Sequence, residues 1–171
     1  MPNIKNIPKD KYSHSDFQRL VLRDGESATL AFLEDGSEDE HIFVFKQHYN
    51  HSENKITNYA LGTDMPNVST RWAMWAYVYS KWTADDKEIV LERPLILIMP
   101  FGQSRECIAQ LEEIYDDVGA LNTNVIRVRR RGAGLATKYL IRDTHEEVDW
   151  AESRYRREDP LRTFEEVLHI E

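Results

Sequence analysis

The chain has 171 residues, 41 % hydrophobic and 11 % aromatic, which suits one folded domain with appendages and excludes a wholly disordered chain. No stretch approaches the roughly 18–20 apolar residues of a membrane span, the longest apolar cluster being residues 94–101, and the opening MPNIKNIPKDKY lacks the apolar region of a secretory signal. The formal charge of −8 is uneven: ten acids against four arginines give residues 143–171 a charge of −6 and leave −2 for residues 1–142, so the sum excludes no anionic partner.

Residues 1–19, polar and carrying Pro2 and Pro8, read as an extended N-terminal arm. Arg23-Asp24-Gly25-Glu26 is a turn signal, residues 28–33 a strand, and Glu34-Asp35-Gly36-Ser37 a break. Residues 41–49, rich in aromatic and β-branched side chains, predict a second strand and a hairpin with the first. Residues 50–70 lack a clear period, include Gly62 and Pro66, and read as a long loop. Residues 71–82, RWAMWAYVYSKW, alternate strictly. Arg71, Ala73, Trp75, Tyr77, Tyr79 and Lys81 share one face; Trp72, Met74, Ala76, Val78, Ser80 and Trp82 share the other.

A turn at Asp85-Asp86-Lys87 leads into a strand over residues 89–101, interrupted near Pro94. Residues 104–118 predict a helix with Ser104 as N-cap, apolar residues Ile108, Leu111, Ile114, Tyr115 and Val118 at helical spacing, and Gly119 as stop. Residues 125–131 and 137–142 are strands joined by Gly132-Ala133-Gly134, and residues 160–170 read as a short helix in the tail. The expected fold is mainly β (α+β): a five-stranded OB-type barrel over residues 20–142, with one helix between strands 3 and 4 and an acidic C-terminal tail at 143–171.

Two stretches carry candidate chemistry. Trp75, Tyr77 and Tyr79, flanked by Arg71 and Lys81, offer flat rings for unpaired bases and cations for their backbone. The competing reading is that these rings are core, the reading favoured here for Trp72 and Trp82. Arg127, Arg129 and Arg131 share one strand face and repel one another unless an anion neutralises them, with Lys138 and Tyr139 close behind. Their alternative partners are the helix acids Glu112, Glu113, Asp116 and Asp117, or the tail. The tail itself is expected to compete for the groove when no strand is bound.

Other signals point to no catalysis. His48 and His51 have HxxH spacing, but no second ligand pair accompanies them, so no metal is expected. The single cysteine, Cys107, allows no internal disulfide, has no obvious partner base and reads as a structural thiol of a reducing compartment. No clustered carboxylates suit a two-metal site, and no serine lies in a nucleophile elbow. Neither an enzyme nor a cofactor is expected.

The segment Leu22-Arg23-Asp24-Gly25-Glu26-Ser27-Ala28 leading into Phe32-Leu33, then His41, and above all Arg129-Arg130-Arg131-Gly132-Ala133-Gly134-Leu135-Ala136-Thr137-Lys138-Tyr139 resemble phage-encoded single-stranded DNA-binding proteins with an OB core. The resemblance covers roughly residues 20–142. It implies a non-catalytic protein that coats single strands in replication or recombination, in the cytoplasm of the infected host. It also implies an acidic C-terminus that contacts replication proteins. The chain departs from the family in residues 50–70, which hold no cysteine where several members have a zinc-binding loop.

Expected partners are therefore single-stranded DNA, replication proteins and further copies of the chain on DNA, with no membrane. The expected DNA-binding residues are Arg71, Trp75, Tyr77, Tyr79, Lys81, Arg127, Arg129, Arg131, Lys138 and Tyr139. The alternative is a regulatory module that binds another protein through the aromatic strand.

Overall fold

The run VSTRWAMWAYVYSKW has β-branched and aromatic residues suited to a pleated surface and no glycine or proline to break it. A computed structural model, describing residues 19–100, 106–133, 137–150 and 163–171, builds it into the central strand β4 (Val68–Trp82). Preceding it are β1 (Ser27–Phe32), β2 (Phe43–Asn50) and β3 (Lys55–Ala60); following it are β5 (Glu88–Pro100), β6 (Asn124–Arg131) and β7 (Lys138–Glu147). Helix α1 (Glu106–Val118) lies between β5 and β6, and a short helix α2 (Phe164–Leu168) near the C-terminus. The arm before residue 19, the expected N-cap Ser104 and Gly134 fall outside the described residues.

The seven strands form one antiparallel sheet in the order β3-β2-β4-β1-β6-β7, with β5 paired to β4 off that path. β5 lines one edge of β4 from Arg71 to Trp82. The other edge is shared end to end: β2 takes Val68 to Ala73 and β1 takes Ala76 to Trp82. This open sheet replaces the expected five-stranded barrel, for two local reasons. First, residues 50–70 are not one long loop: β3 pairs with β2 from Asn50↔Lys55 to Phe45↔Ala60. As an exposed, largely polar edge strand, β3 carries no alternation for a sequence reading to detect. Second, among the described residues β7 is paired with β6 on one edge only. On the other edge the Gln110 side chain of α1 stands in for a strand, donating through Nε2 to the Tyr139 carbonyl (3.0 Å) and accepting through Oε1 from the Ile141 N–H (2.7 Å).

The inner face buries Leu30, Phe32, Trp72, Met74, Val78, Leu97, Met99, Ile126 and Val128, closed by Cys107, Leu111 and Ile114 of α1. The core thus uses Trp72 as expected, and α1 presents the apolar stripe that its spacing predicted. None of the helices is long and apolar enough to cross a membrane among the described residues. The stretch assigned to the tail is partly structured: β7 runs on to Glu147, and Val167 and Leu168 are buried against the sheet.

Candidate nucleic-acid interface

The outer face of the sheet is governed by an irregularity in β4. Thr29 of β1 opposes Ser80 and Leu30 opposes Val78, so Tyr79 is an extra residue, a β-bulge. Beyond a bulge the side-chain phase inverts. Lys81 therefore stands opposite the core residue Ala28, and its Nζ pairs with Glu26 Oε1 at 3.1 Å. Trp82 takes the outer position instead, opposite Ser27, which in turn faces Arg129 of β6. This corrects two expectations together: Lys81 leaves the aromatic face, and Trp82 leaves the core. The ring of Trp82 is half-buried and belongs to none of the three hydrophobic clusters.

Strand alternation brings the cations of β6 and β7 onto this same outer face. Arg127, Arg129 and Arg131 are exposed, while Val128 between Arg127 and Arg129 is buried. Arg127 is directly opposite Arg142, and Arg131 directly opposite Lys138. Opposed like charges destabilise a sheet. Among the described residues none of these five cations is in an ion pair; Arg127 Nη2 reaches only the Ser27 hydroxyl, at 3.3 Å. The helix acids Glu112, Glu113, Asp116 and Asp117 are not their partners. Arg130 points elsewhere, donating to the Leu22 carbonyl (2.7 Å) and the Thr137 hydroxyl (3.4 Å) as a brace for the β6–β7 turn.

The aromatic end of the face is covered rather than open. Tyr77 is 2 % exposed, packed with Leu33, Tyr79 and Trp150. Trp150 is held in place by its Nε1–H bond to the Asn122 carbonyl (3.1 Å). Tyr79 stays half-buried, edge-on to Tyr77 at 5.2 Å, and its hydroxyl pKa is raised first by burial, then by Tyr77, Glu146 and Asp149. Trp75 lies half-buried beneath Phe164 of α2, whose ring also stacks on Phe43 at 5.3 Å. Val167 and Leu168 complete this cover over Phe45, Ala73, Ile96 and Ile98. The segment is tied down where Asn58 Nδ2 donates to the Leu168 carbonyl (2.8 Å) and the Glu171 N–H donates to the Asn58 carbonyl (3.0 Å).

This settles where the described part of the tail sits. Residues 143–147 continue β7, residues 163–171 cover the aromatic end through apolar side chains, and among the described residues no carboxylate of the tail is ion-paired with an arginine of the face. At that same end His41 gathers Glu34 (3.5 Å), Asp35 (3.3 Å) and Glu38 (3.6 Å). Glu34, Glu40 and His41 share a cavity of about 440 Å³ with Trp75 and Phe164. The outer face is thus polar in charge, acidic beyond Trp75 and basic across β6 and β7.

Of the remaining expected residues, Arg71 lies at the far end of β4, opposite Phe45, about 30 Å of strand from Ser80. Burial lowers its pKa, partly offset by Tyr139, and its Nε has no hydrogen-bond partner among the described residues. Tyr139 packs against the inner core, so its ring is not on the cationic face. Two residues of the face were missed. Arg142 was detectable, since Lys138, Leu140 and Arg142 alternate; Trp82 was hidden by the bulge. Among the described residues no group of three or more histidine, cysteine or carboxylate side chains, the His41 cluster included, is arranged to hold a metal ion. A scan against protein-family models found no match, and searches of curated proteins and of solved structures returned no significant match, so function is read from this geometry.

Proposed function

We propose that this protein binds single-stranded DNA, without catalysis, across the outer face of its sheet. The observation that carries this reading is the cationic ladder: Arg127–Arg142 and Arg131–Lys138 as directly opposed pairs, with Arg129 between them and, among the described residues, no carboxylate neutralising any of the five. A polyanion relieves that repulsion and releases its counterions on binding. Of the aromatic rings on the same face Trp75 and Tyr77 are covered, but Trp82 lies outside the hydrophobic clusters, and a ring beside the cations favours unpaired bases, whose faces can stack, over a duplex. The path β5-β4-β1-β6-β7, with α1 between β5 and β6, supports an OB-like arrangement lacking its closing β5–β7 pair. On this reading the chain acts as a phage-type coat protein for replication or recombination.

The test is titration of labelled oligothymidylate at several salt concentrations. Binding that weakens steeply as salt rises is the expected result. A second reading has its own support: the aromatic end already holds a peptide, residues 163–171 of this chain. If no oligonucleotide binds even at low salt, while a variant lacking that segment captures it as a free peptide, the face is a protein-interaction surface.

A further inference from the structure

Trp72 is sealed in the core, and Trp75 and Trp150 pack in apolar clusters on the outer face. Among the described residues, Trp82 alone of the four tryptophans joins no hydrophobic cluster. The Tyr79 bulge turns it outward into a single row with Ser27 and Arg129. We infer that this row is a nucleotide subsite: the Trp82 indole stacks on one unpaired base, and Arg129, with Arg127 leaning over Ser27, takes the phosphate beside it. The inference rests on the single-strand reading above and deepens it by naming the platform that sequence alternation had placed in the core.

Three features favour it. Neighbouring strands lie about 4.8 Å apart, so Trp82 and Arg129, separated by β1, are about 10 Å apart, a reach suited to the base and backbone of one nucleotide. The residue between them is serine, only 4 % exposed, whose hydroxyl receives Arg127 at 3.3 Å and so brings a second guanidinium over the row. Charge sets the direction. On the β5 side Trp82 faces Glu88, on the β6 side the arginines, so a bound backbone runs over β1 and β6 and not over β5. Trp75 and Tyr77 are covered in this conformation, whereas Trp82, half-buried, is packed into none of the three hydrophobic clusters.

The test uses the full chain labelled with 5-fluorotryptophan, its fluorine resonances assigned by single Trp→Phe substitutions. On titration with a short oligothymidylate the Trp82 resonance should shift saturably while that of Trp72 stays in place. In parallel, Trp82→Ala should weaken binding roughly 5- to 100-fold, Trp82→Phe should recover most of the loss, and the salt slope of both should match the parent. If the parent binds the oligonucleotide but its Trp82 resonance does not move, the subsite is wrong and the single-strand reading survives. A folded Trp82→Ala variant that binds like the parent overturns it equally. If the parent binds no oligonucleotide at low salt, the single-strand reading fails and the subsite with it. Should Trp82→Ala not fold, the fluorine titration of the parent decides.

Discussion

Leu168→Ala tests whether the C-terminal segment competes with a bound strand, and by what force. Leu168 is 2 % exposed, packed with Phe45, Ala73, Ile96 and Ile98 on the outer face. Truncating a buried leucine costs about 2–5 kcal/mol. A segment lying on the surface of a sheet can relax, so about 2 kcal/mol applies, which lowers its docked-to-free ratio about 30-fold. Where the docked segment blocks Trp75, the apparent affinity for a long oligonucleotide is reduced by the fraction undocked. Leu168→Ala should therefore tighten long oligothymidylate by up to about 30-fold and leave a short one, confined to the ladder and Trp82, unchanged. The substitution alters no charge and the contact is apolar, so the gain should be the same at low and high salt. A carboxylate competitor would lose its effect as salt screens it. Anisotropy titrations give the affinities, and hydrogen exchange at Val167 and Glu171, whose N–H groups bond Thr163 and Asn58, reports undocking directly. Amides that exchange faster without any change in affinity for the long oligonucleotide would refute competition at Trp75.

The bulge separates two substitutions that strict alternation would treat alike. Arg129→Ala should weaken binding and lower the salt slope by about 0.7, whereas Lys81→Ala should leave the slope intact and destabilise the fold by about 1–3 kcal/mol in urea titration, because the buried Glu26 carboxylate loses its ion-pair partner and, among the described residues, keeps only the Arg23 N–H. Gly36→Ala should cost more than 1 kcal/mol in the same assay: Gly36 has φ +83° and an added Cβ would meet Leu121 Cδ1 at 2.7 Å. The Cys107 thiol, raised to about 11 by burial and then by Glu106, should resist a thiol reagent at pH 8 until the protein unfolds. Its folded pKa lies above the ordinary value of 9.0, so its contribution to stability is full below about pH 9 and is lost as pH rises toward 11.

What sequence made legible were the elements with one strong period. The α1 stripe, the β6 arginines alternating with buried valine, and the apolar face of β4 up to Val78 follow from spacing alone. What it hid depends on long-range register. The order of residues 79–82 is as compatible with continued alternation as with a bulge, and the choice is made by β1 pairing, Ser27↔Trp82 and Thr29↔Ser80. One unpaired residue then exchanges the roles of Lys81 and Trp82, because a pleat of period two sends every later side chain to the opposite face. The cover over Trp75 was hidden for a similar reason. Residues 164–171 read as acidic when charge is counted, yet their contacts are made by Phe164, Val167 and Leu168, a spacing of three and four within a single helical turn. Counting charge found the tail but misread its force. The same applies to the sheet as a whole, whose net charge conceals an acidic end around His41 and a basic end on β6 and β7. A flexible anion meeting that face is repelled at Glu34, Glu38 and Glu40 and drawn toward Arg129, so on the proposed reading the path of a strand would be directed by placement that the sum of −8 does not disclose.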